Sequence, residues 1–312
     1  MRTQRLLLVN PASGGGSPTA EELAARAAEL GVEVHVLSLN DDPAAVARAA
    51  GASILGMAGG DGSLAAVARV ALETDASFVC VPFGTRNHFA RDLGLDRDDP
   101  LAAMDAFVSG RERWIDVGRV GDRIFLNNVS IGPYASLVRR REHHRRRGEL
   151  AARLRALAAV ARHRHRLQAH VNGEPVTARA LLVGNNAYEI SVLSLGERER
   201  LDRGELQLWS AAGWLPTSWH DRTSPRFRIE LPGARVHAAI DGEPAELELP
   251  LEFESLPRAL RCLIPDEGGA MHDNPEATEH EQEQAQTERQ NEEESMRYPS
   301  EEQPDAPDDA EK

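Results

Sequence analysis

The sequence predicts two folded parts, an amino-terminal α/β part and a mainly antiparallel β part. Short apolar runs alternate with helical patterns over the first third, which is typical of a doubly wound, mostly parallel sheet. Beyond Gly110, strand patterns follow one another and turn dipeptides separate them. From Asp266 onward the sequence is acidic and nearly free of apolar residues, so we expect this segment to be disordered.

Helix caps and turn residues mark the elements before residue 111. Thr19 and Glu22 have capping-box spacing, and Asp42-Pro43 and Asp99-Pro100 each open a helix. The expected order is strand 5–9, helix 19–31, strand 32–39, helix 42–51, strand 53–58, helix 63–72, strand 77–83 and helix 99–110. This alternation favours parallel strands joined by helices.

The second part is expected to contain two hairpins and further strands. Gly121-Asp122 and Asn172-Gly173 are the predicted turns, and one helix is expected at about 149–162. The further strands are expected at 204–210, 226–232, 235–240, 245–253 and 258–264. We therefore predict an α/β domain at 1–112, a β-rich domain at 113–255 and a disordered tail at 266–312, with residues 256–265 returning to either domain.

Charge is unevenly distributed along the chain. The 312 residues include 50 acidic and 36 basic side chains, but residues 266–312 alone hold 17 acidic and three basic ones. The preceding part is therefore neutral, and the overall acidity does not decide whether that part binds nucleic acid. Lys312 is the single lysine, which excludes a Walker-type phosphate-binding lysine.

The cysteines and the lengths of the apolar runs indicate the cellular compartment in which we expect this protein. Cys80 and Cys262 lie in apolar runs, which predicts buried thiols and neither a disulfide framework nor a zinc site. The first apolar run is too short for a signal peptide, and no apolar run is long enough to span a bilayer. We therefore expect a cytoplasmic protein.

Three glycine-rich segments follow predicted strands of the first part: NPASGGG, GGDGS and PFGTRN. The carboxyl ends of parallel strands open on one crevice, where glycines let a ligand approach the backbone and helix N-terminal amides attract anions. The segments indicate a nucleotide-phosphate cradle; the alternative is that each glycine serves a tight turn. Asp61 is a carboxylate inside this cradle, which makes sense if Mg²⁺ or a reacting hydroxyl separates it from phosphate.

The segments LLLVNPASGG, GGDGSLAAV and VPFGTRNHFARDLGL resemble, in this order, the diacylglycerol kinase catalytic-domain family. That family includes bacterial lipid kinases and sphingosine and ceramide kinases, and NAD kinases are more distant relatives. WIDVGRVGDRIFLNNVSIG and IDGEP extend the resemblance to about residues 6–265. It implies an ATP- and Mg²⁺-dependent lipid kinase of phospholipid biosynthesis, which phosphorylates a lipid hydroxyl with diacylglycerol as the default acceptor.

The resemblance also implies roles for individual residues. Glu243 matches the family's proposed proton acceptor, Asp241 lies beside it, and Asp61 and Asp116 would serve the Mg²⁺–phosphate network. The residues expected to contact the nucleotide or its phosphates are Asn10, Pro11, Ala12, Ser13, Gly14, Ser38, Gly59, Gly60, Asp61, Gly62, Ser63, Leu64, Ala65, Thr85 and Asn87. By spacing alone, an ordinary Asp-Gly hairpin turn followed by a solvated glutamate is the better interpretation of Asp241 to Glu243.

Three positions depart from the family pattern. Arg86 and His88 stand where the family usually has glycine and aspartate, and both are candidate substrate-contacting residues. These changes leave the acceptor open, and a nucleotide-binding regulatory protein without catalysis is the main alternative. A related kinase with a sphingoid or a soluble acceptor is another. Arg203 replaces an aspartate of a structural Mg²⁺ site, which we do not predict here.

The stretch Arg139–Arg147 holds six arginines, and it predicts peripheral contact with anionic lipid head groups at the inner face of the membrane. The alternative is a solvated arginine-rich loop. We expect no nucleic-acid partner, because no aromatic stacking residues accompany the arginines. ATP and a lipid are the expected ligands, and a homodimer is left open.

Overall fold

A computed structural model describes residues 4–14, 18–84, 87–132, 166–188, 190–191, 194–195, 198, 200–211 and 219–266. Two predicted site residues, Thr85 and Arg86, lie outside these ranges, as do Arg139–Arg147, the predicted helix at 149–162 and the acidic tail. All other predicted site residues lie within the described ranges.

Six helices lie in the described residues: α1 (Ala20–Glu29), α2 (Pro43–Ala50), α3 (Asp61–Thr74), α4 (His88–Asp92), α5 (Pro100–Ala103) and α6 (Ala106–Ser109). Thr19 and Glu22 form the predicted capping box at α1, and Asp42 caps α2 ahead of Pro43. These caps bond amides that otherwise lack partners, so both helices begin where predicted. None of the described helices has the length and apolar character needed to cross a bilayer.

The described strands form two large sheets and one two-stranded sheet. Strands joined by helices come first and hairpins follow. The strands are β1 (Arg5–Val9), β2 (Glu33–Val36), β3 (Ile54–Gly59), β4 (Ser77–Pro82), β5 (Gly110–Val120), β6 (Arg123–Phe125), β7 (Asn128–Ile131), β8 (Leu167–Val171), β9 (Glu174–Ala178), β10 (Ala180–Asn185), β11 (Ile190–Ser191), β12 (Ser194–Leu195), β13 (Leu206–Ala211), β14 (Trp219–Ser224), β15 (Arg226–Glu230), β16 (Arg235–Ile240), β17 (Glu243–Glu248) and β18 (Leu251–Pro265).

The first sheet begins with four parallel strands in the order β2-β1-β3-β4. Leu6 and Leu8 of β1 belong to one apolar cluster, which also takes residues from α2 and α3. Leu7 and Val9 belong to another cluster, shared with α1 and α6. Because successive residues of a strand point to opposite faces, the sheet is covered on both sides. The predicted doubly wound α/β part is confirmed.

The second sheet is antiparallel in the order β14-β13-β10-β7-β16-β17. Val129 and Ile131 of β7 share an apolar cluster with Phe227 of β15 and Phe253 of β18, both strands of the first sheet. The two sheets therefore pack on each other through a common core, as in other face-to-face sheet packings. The predicted mainly antiparallel β part is confirmed.

The long strand β18 returns to the first sheet. It pairs in parallel with β4 near Cys262, antiparallel with β5 along most of its length, and antiparallel with β15 at its start. The first sheet thus runs without interruption past the predicted boundary at residue 112, and the chain up to Asp266 forms one compact unit.

Several elements differ from the sequence prediction. Helix α3 begins at Asp61, two residues early, because Gly60 rather than a hydroxyl residue is its N-cap. The predicted helix at 99–110 is two short helices, and the predicted strand at 245–253 is broken at Pro250, which has no N–H for the ladder. The prediction lacks β14, a polar strand without apolar alternation, and the short helix α4.

Candidate active site

The three glycine-rich segments meet at the carboxyl ends of β1, β3 and β4. A Cβ on Gly84, after β4, would lie 2.7 Å from the Cα of Gly60, after β3. Ser13, after β1, has its Oγ 4.0 Å from the position of a Cβ on Gly60, and a Cβ on Gly14 would lie 2.4 Å from the Phe83 ring. Glycine permits these approaches, so backbone rather than side chains forms much of this surface. We call these three segments the glycine cradle.

Asn10 shapes the first segment of the cradle into a tight turn. Its Oδ1 accepts a hydrogen bond from the N–H of Ala12 at 3.1 Å, and its carbonyl accepts from Ser13 at 3.0 Å. Its own N–H donates to the carbonyl of Ala58 in β3 at 2.9 Å. Pro11 and Ala12 are exposed at the tip. The turn is therefore tied to the neighbouring strand that leads into the second segment.

The N-terminus of α3 carries no side-chain cap. Gly60 is the N-cap, and Ser63 donates its hydroxyl hydrogen to the Gly60 carbonyl at 2.9 Å. A Cβ on Gly59 would lie 2.3 Å from the Ser63 Oγ, so this hydroxyl position depends on that glycine. Leu64 is buried in the core and Ala65 packs against the same core, so these two side chains face the protein interior. The uncapped helix start suits phosphate oxygens.

Asp61 links the start of α3 to the start of α4. Its Oδ1 accepts from the N–H of Phe89 at 3.1 Å, and its Oδ2 accepts from the N–H of His88 at 3.3 Å. Asn87, the N-cap of α4, makes no side-chain cap bond, so Asp61 satisfies these amides from another segment. The half-buried carboxylate lies between two helix N-termini, whose dipoles attract negative charge.

Asn87 fastens the loop that follows β4. Its Oδ1 accepts from the N–H of Gly84 and its Nδ2 donates to the Gly84 carbonyl, both at 2.9 Å. Its φ of 48° lies in the left-handed region, which asparagine tolerates better than most residues. The side-chain amide of Asn87 is therefore engaged by the backbone of Gly84.

Glu243, the first residue of β17, reaches the cradle from the second sheet. A Cβ on Gly62 would lie 2.3 Å from the Glu243 Oε1 and 2.5 Å from its Cγ. The exposed glutamate side chain therefore rests directly on Gly62, one residue after Asp61. The structure brings together two predicted site residues that are far apart in sequence.

Asp241 is buried two residues earlier and holds the turn in place. Its Oδ2 accepts from the N–H of Leu126 at 2.8 Å, and its Oδ1 accepts from Asn127 and Asn128 at 2.7 and 3.0 Å. Burial raises the pKa of Asp241 to about 6; the three amides oppose the rise, and the charge of Asp61 adds to it. Because backbone amides occupy both oxygens, the geometry fits a positioning role for Asp241.

Asp116 lies in β5 and is completely buried. Its Oδ2 accepts from the N–H of Gly204 at 2.6 Å, and its Oδ1 accepts from Arg258 at 2.7 Å. Its own N–H donates to the carbonyl of Leu201. Both carboxylate oxygens of Asp116 therefore accept hydrogen bonds from backbone amides.

Ser38 is exposed just beyond the edge strand β2. The Oδ2 of Asp41 accepts from the Ser38 N–H at 2.9 Å and lies 3.1 Å from the Nε2 of His35. The bond from the Ser38 backbone, followed by that from His35, lowers the pKa of Asp41. The turn that presents Ser38 is therefore held by an ionised carboxylate.

The glycine cradle contains one carboxylate, Asp61, that could bind a divalent cation. Across the described ranges, no three His, Cys, Asp or Glu side chains form a group able to hold a metal. Mg²⁺ at phosphate sites is usually held by one or two carboxylates while substrate oxygens complete its shell. Asp61 fits that requirement because it follows Gly60 in the GGDG segment of the cradle.

Sequence reasoning misses two charged residues beside the site. Asp92 and Arg198 form a fully buried ion pair at 2.6 Å. Arg198 belongs to the run ERER, a pattern typical of a solvated segment, so nothing in the sequence indicates its burial. Asp92 ends a helix too short to show an apolar period.

Comparison with known proteins finds relatives that are named as kinases. The chain is 28% identical over 296 residues to a diacylglycerol kinase of Mycobacterium tuberculosis, with 84% of this chain and 95% of that protein covered. It is 28% identical over 293 residues to a "Probable lipid kinase YegS-like" protein of Pseudomonas aeruginosa, with 85% and 96% covered. A crystal structure of a diacylglycerol kinase from Bacillus anthracis shares the fold, with a TM-score of 0.63, 17% identity, and 85% and 98% of the two chains covered.

The family model that matches is the diacylglycerol kinase catalytic domain, over residues 4–120. This range contains all three segments of the glycine cradle. The resemblance predicted from those segments is confirmed: residues 4–120 match the model of this family, and the two relatives described above are named as a diacylglycerol kinase and a probable lipid kinase.

Proposed function

We propose that this protein is a lipid kinase that transfers the γ-phosphoryl group of ATP to a lipid hydroxyl. The contact between Glu243 and Gly62 carries the proposal, because it places a carboxylate of the second sheet on the GGDG turn. Phosphoryl transfer needs a phosphate cradle and a proton acceptor in close register. The relatives named as a diacylglycerol kinase and a lipid kinase favour a lipid acceptor, with diacylglycerol as the default.

The glycine cradle would bind the triphosphate mainly through its backbone. Gly60 and Gly84 keep side chains out of the crevice, and the uncapped start of α3 offers N–H groups and a positive dipole end. The single lysine, Lys312, follows the folded part. Any permanently positive side chain that binds the phosphates must therefore be an arginine. This arrangement suits a reaction whose barrier falls mainly through positioning and charge neutralisation.

Glu243 would accept the proton of the lipid hydroxyl while that oxygen bonds to the γ-phosphorus and the bond to the ADP oxygen breaks. Its side chain is exposed, so an acceptor entering the crevice can reach it. Asp241 holds the start of β17 through the amides of residues 126–128, which keeps the base in register with Gly62.

Asp61 is the residue that we propose to hold Mg²⁺ together with the phosphates. Bound Mg²⁺ would neutralise charge on the phosphate oxygens. The bonds from α4 amides fix the Asp61 carboxylate beside the cradle. We assign Asp116 a supporting role, because its carboxylate anchors two backbone segments.

A nucleotide-binding regulatory protein without catalysis is the second candidate. His88 favours it, because this residue stands where the family usually has an aspartate. A kinase with a sphingoid or soluble acceptor would use the same cradle and base and differ only in the acceptor pocket. Contact of Arg139–Arg147 with a membrane and formation of a homodimer stay predictions.

Phosphorylation by the purified full chain tests the proposal. Labelled ATP and Mg²⁺ would be supplied with mixed micelles that contain diacylglycerol, a sphingoid base or another lipid alcohol. Glu243→Gln is expected to lower turnover by about 100-fold or more, the contribution of a general base. Glu246→Gln is the matched control, since Glu246 lies on the same strand and pairs with Arg235 on the surface.

Each outcome separates the candidates. A phosphorylated lipid that disappears with Glu243→Gln and persists with Glu246→Gln supports a kinase with Glu243 as base. Tight ATP binding without product from any acceptor favours the regulatory protein. Wild-type turnover by Glu243→Gln would show that Glu243 is not the general base.

A further inference from the structure

A buried ion pair ties the end of α4 to residue 198. The Nε of Arg198 donates to the Oδ2 of Asp92 at 2.6 Å, and both side chains are fully buried. The other carboxylate oxygen of Asp92 accepts from Arg91 at 3.1 Å. The pair thus connects the helix that Asp61 caps with a segment of the β-rich part.

The remaining donors of Arg198 bind the segment between β6 and β7 and the last residue of β10. Its Nη1 donates to the carbonyls of Leu126 at 2.6 Å and Asn185 at 3.1 Å, and its Nη2 donates to the Oδ1 of Asn127 at 2.8 Å. The guanidinium carbon also lies 5.1 Å from the centre of the Tyr188 ring. One planar guanidinium therefore fixes four acceptors at once, which lysine cannot do.

The same segment is held from its other side by Asp241. Asp241 accepts from the amides of residues 126–128, whereas Arg198 binds the Leu126 carbonyl and the Asn127 side chain. The peptide between β6 and β7 is thus clamped between an anion and a cation. Its placement sets the position of Asp241 and, two residues on, of Glu243.

The buried pair of Asp92 and Arg198 is better suited to fixing the arrangement of its neighbours than to raising the free energy of unfolding. Burial opposes the charge of Arg198, but Tyr188, Asp92 and Asp241 outweigh it, so the pKa of Arg198 is raised. Buried ion pairs often add little stability compared with apolar residues of similar size, whereas breaking one partner is costly. The pair therefore fits a role in defining geometry.

We propose that Arg198 is a positioning residue for phosphoryl transfer, and this inference rests on the proposed function. Arg198 joins α4, which Asp61 caps, to the segment that Asp241 grips, and so holds Glu243 in register with Gly62. It acts through Asp241 and Asp92.

Kinetics of charge-removing variants test this role in the full chain. Arg198→Met is expected to lower kcat about 10- to 100-fold, the effect of a small misplacement, and to leave KM for ATP within about threefold. Arg198→Lys restores the charge without the fork and should recover only part of kcat. Arg200→Met is the control, because Arg200 is a nearby arginine whose pair with Asp202 is half exposed.

A double variant separates positioning from stability. Asp92→Leu with Arg198→Met leaves neither charge buried without its partner, so the thermal midpoint should rise above that of Arg198→Met alone. The kcat should stay low, because the clamp on residues 126–128 is still missing. A kcat that recovers together with the midpoint would show that Arg198 is merely structural and would overturn the inference.

Amide hydrogen exchange gives a readout that does not depend on activity. Arg198→Met should speed exchange at residues 126–128 by about tenfold or more while core amides of β1 and β3 stay protected. A wild-type chain that phosphorylates no lipid would end the proposed function, and exchange would then show whether the clamp exists. Unchanged exchange in Arg198→Met would overturn the clamp itself.

Discussion

At the scale of single residues, the packing of Glu243 on Gly62 leaves no room for a methyl group. The Cβ of an alanine at position 62 would lie 2.3 Å from the Glu243 Oε1, so the carboxylate must move. We expect Gly62→Ala to lower turnover about 10- to 100-fold. Stability should hold or rise by about 0.5–1 kcal/mol, because residue 62 lies within α3. Parallel kinase assays and thermal unfolding check this, and wild-type turnover would contradict it.

The buried carboxyl group of Asp241 leads to a second prediction at this scale, which concerns how stability depends on pH. Its pKa is raised to about 6, with burial as the largest cause, so the folded chain binds a proton that the unfolded chain releases between about pH 4 and 6. This contribution to stability is present at low pH and is lost as pH rises through about 6.

Asp241→Asn tests that sign, because asparagine keeps the left-handed backbone of this position, with φ of 47°. Denaturant unfolding at several pH values between 4.5 and 7 should show the stability advantage of the wild type over Asp241→Asn shrinking as pH rises. An advantage that grows with pH would mean that the amides of residues 126–128 outweigh burial.

At the scale of elements, Asp116 anchors the irregular middle of β18. The pairing of β18 with β5 shifts register between Leu256 and Leu260, and Arg258 within this bulge has φ of 47° and donates its N–H to Asp116. Asp116→Asn replaces an acceptor oxygen with a donor facing a backbone N–H. It should lower the free energy of unfolding by about 1–3 kcal/mol, the cost of an unsatisfied buried group.

Urea unfolding of Asp116→Asn without Mg²⁺ measures this effect. A loss of stability in the absence of the metal supports the anchoring role. Unchanged stability combined with a higher Mg²⁺ requirement for turnover would instead support the metal role that the resemblance implies.

At the scale of the whole molecule, β5 and β18 bind the two sheets into one unit. The first sheet contains both strands, and the common core joins it to the second sheet. We expect one cooperative unfolding transition for the folded part. Far-UV circular dichroism of the wild type and fluorescence of Trp114→Phe should share one urea midpoint. This variant keeps Trp209 and Trp219 of the second sheet and Trp214, which lies between them in the sequence. Two separate midpoints would show independent domains.

The sequence by itself determined the features that depend on neighbouring residues. The capping box of α1, the Asp-Pro start of α2 and both hairpin turns follow from local hydrogen bonding and local φ preferences. Alternation of strands and helices was enough for the α/β part, and three glycine segments at strand ends indicated a phosphate cradle. The identity of Glu243 as a candidate base depended on the family resemblance, since its spacing suggests only a turn.

Only the tertiary structure decided which distant groups meet. The contact of Glu243 with Gly62, the grip of Asp241 on residues 126–128 and the burial of Arg198 against Asp92 each join residues far apart along the chain. No local pattern encodes such contacts, because they arise when β18 returns to the first sheet and the second sheet packs on it. The roles that we propose for Asp116 and Arg198 therefore depend on long-range packing, whereas the glycine cradle was predicted from the glycines themselves.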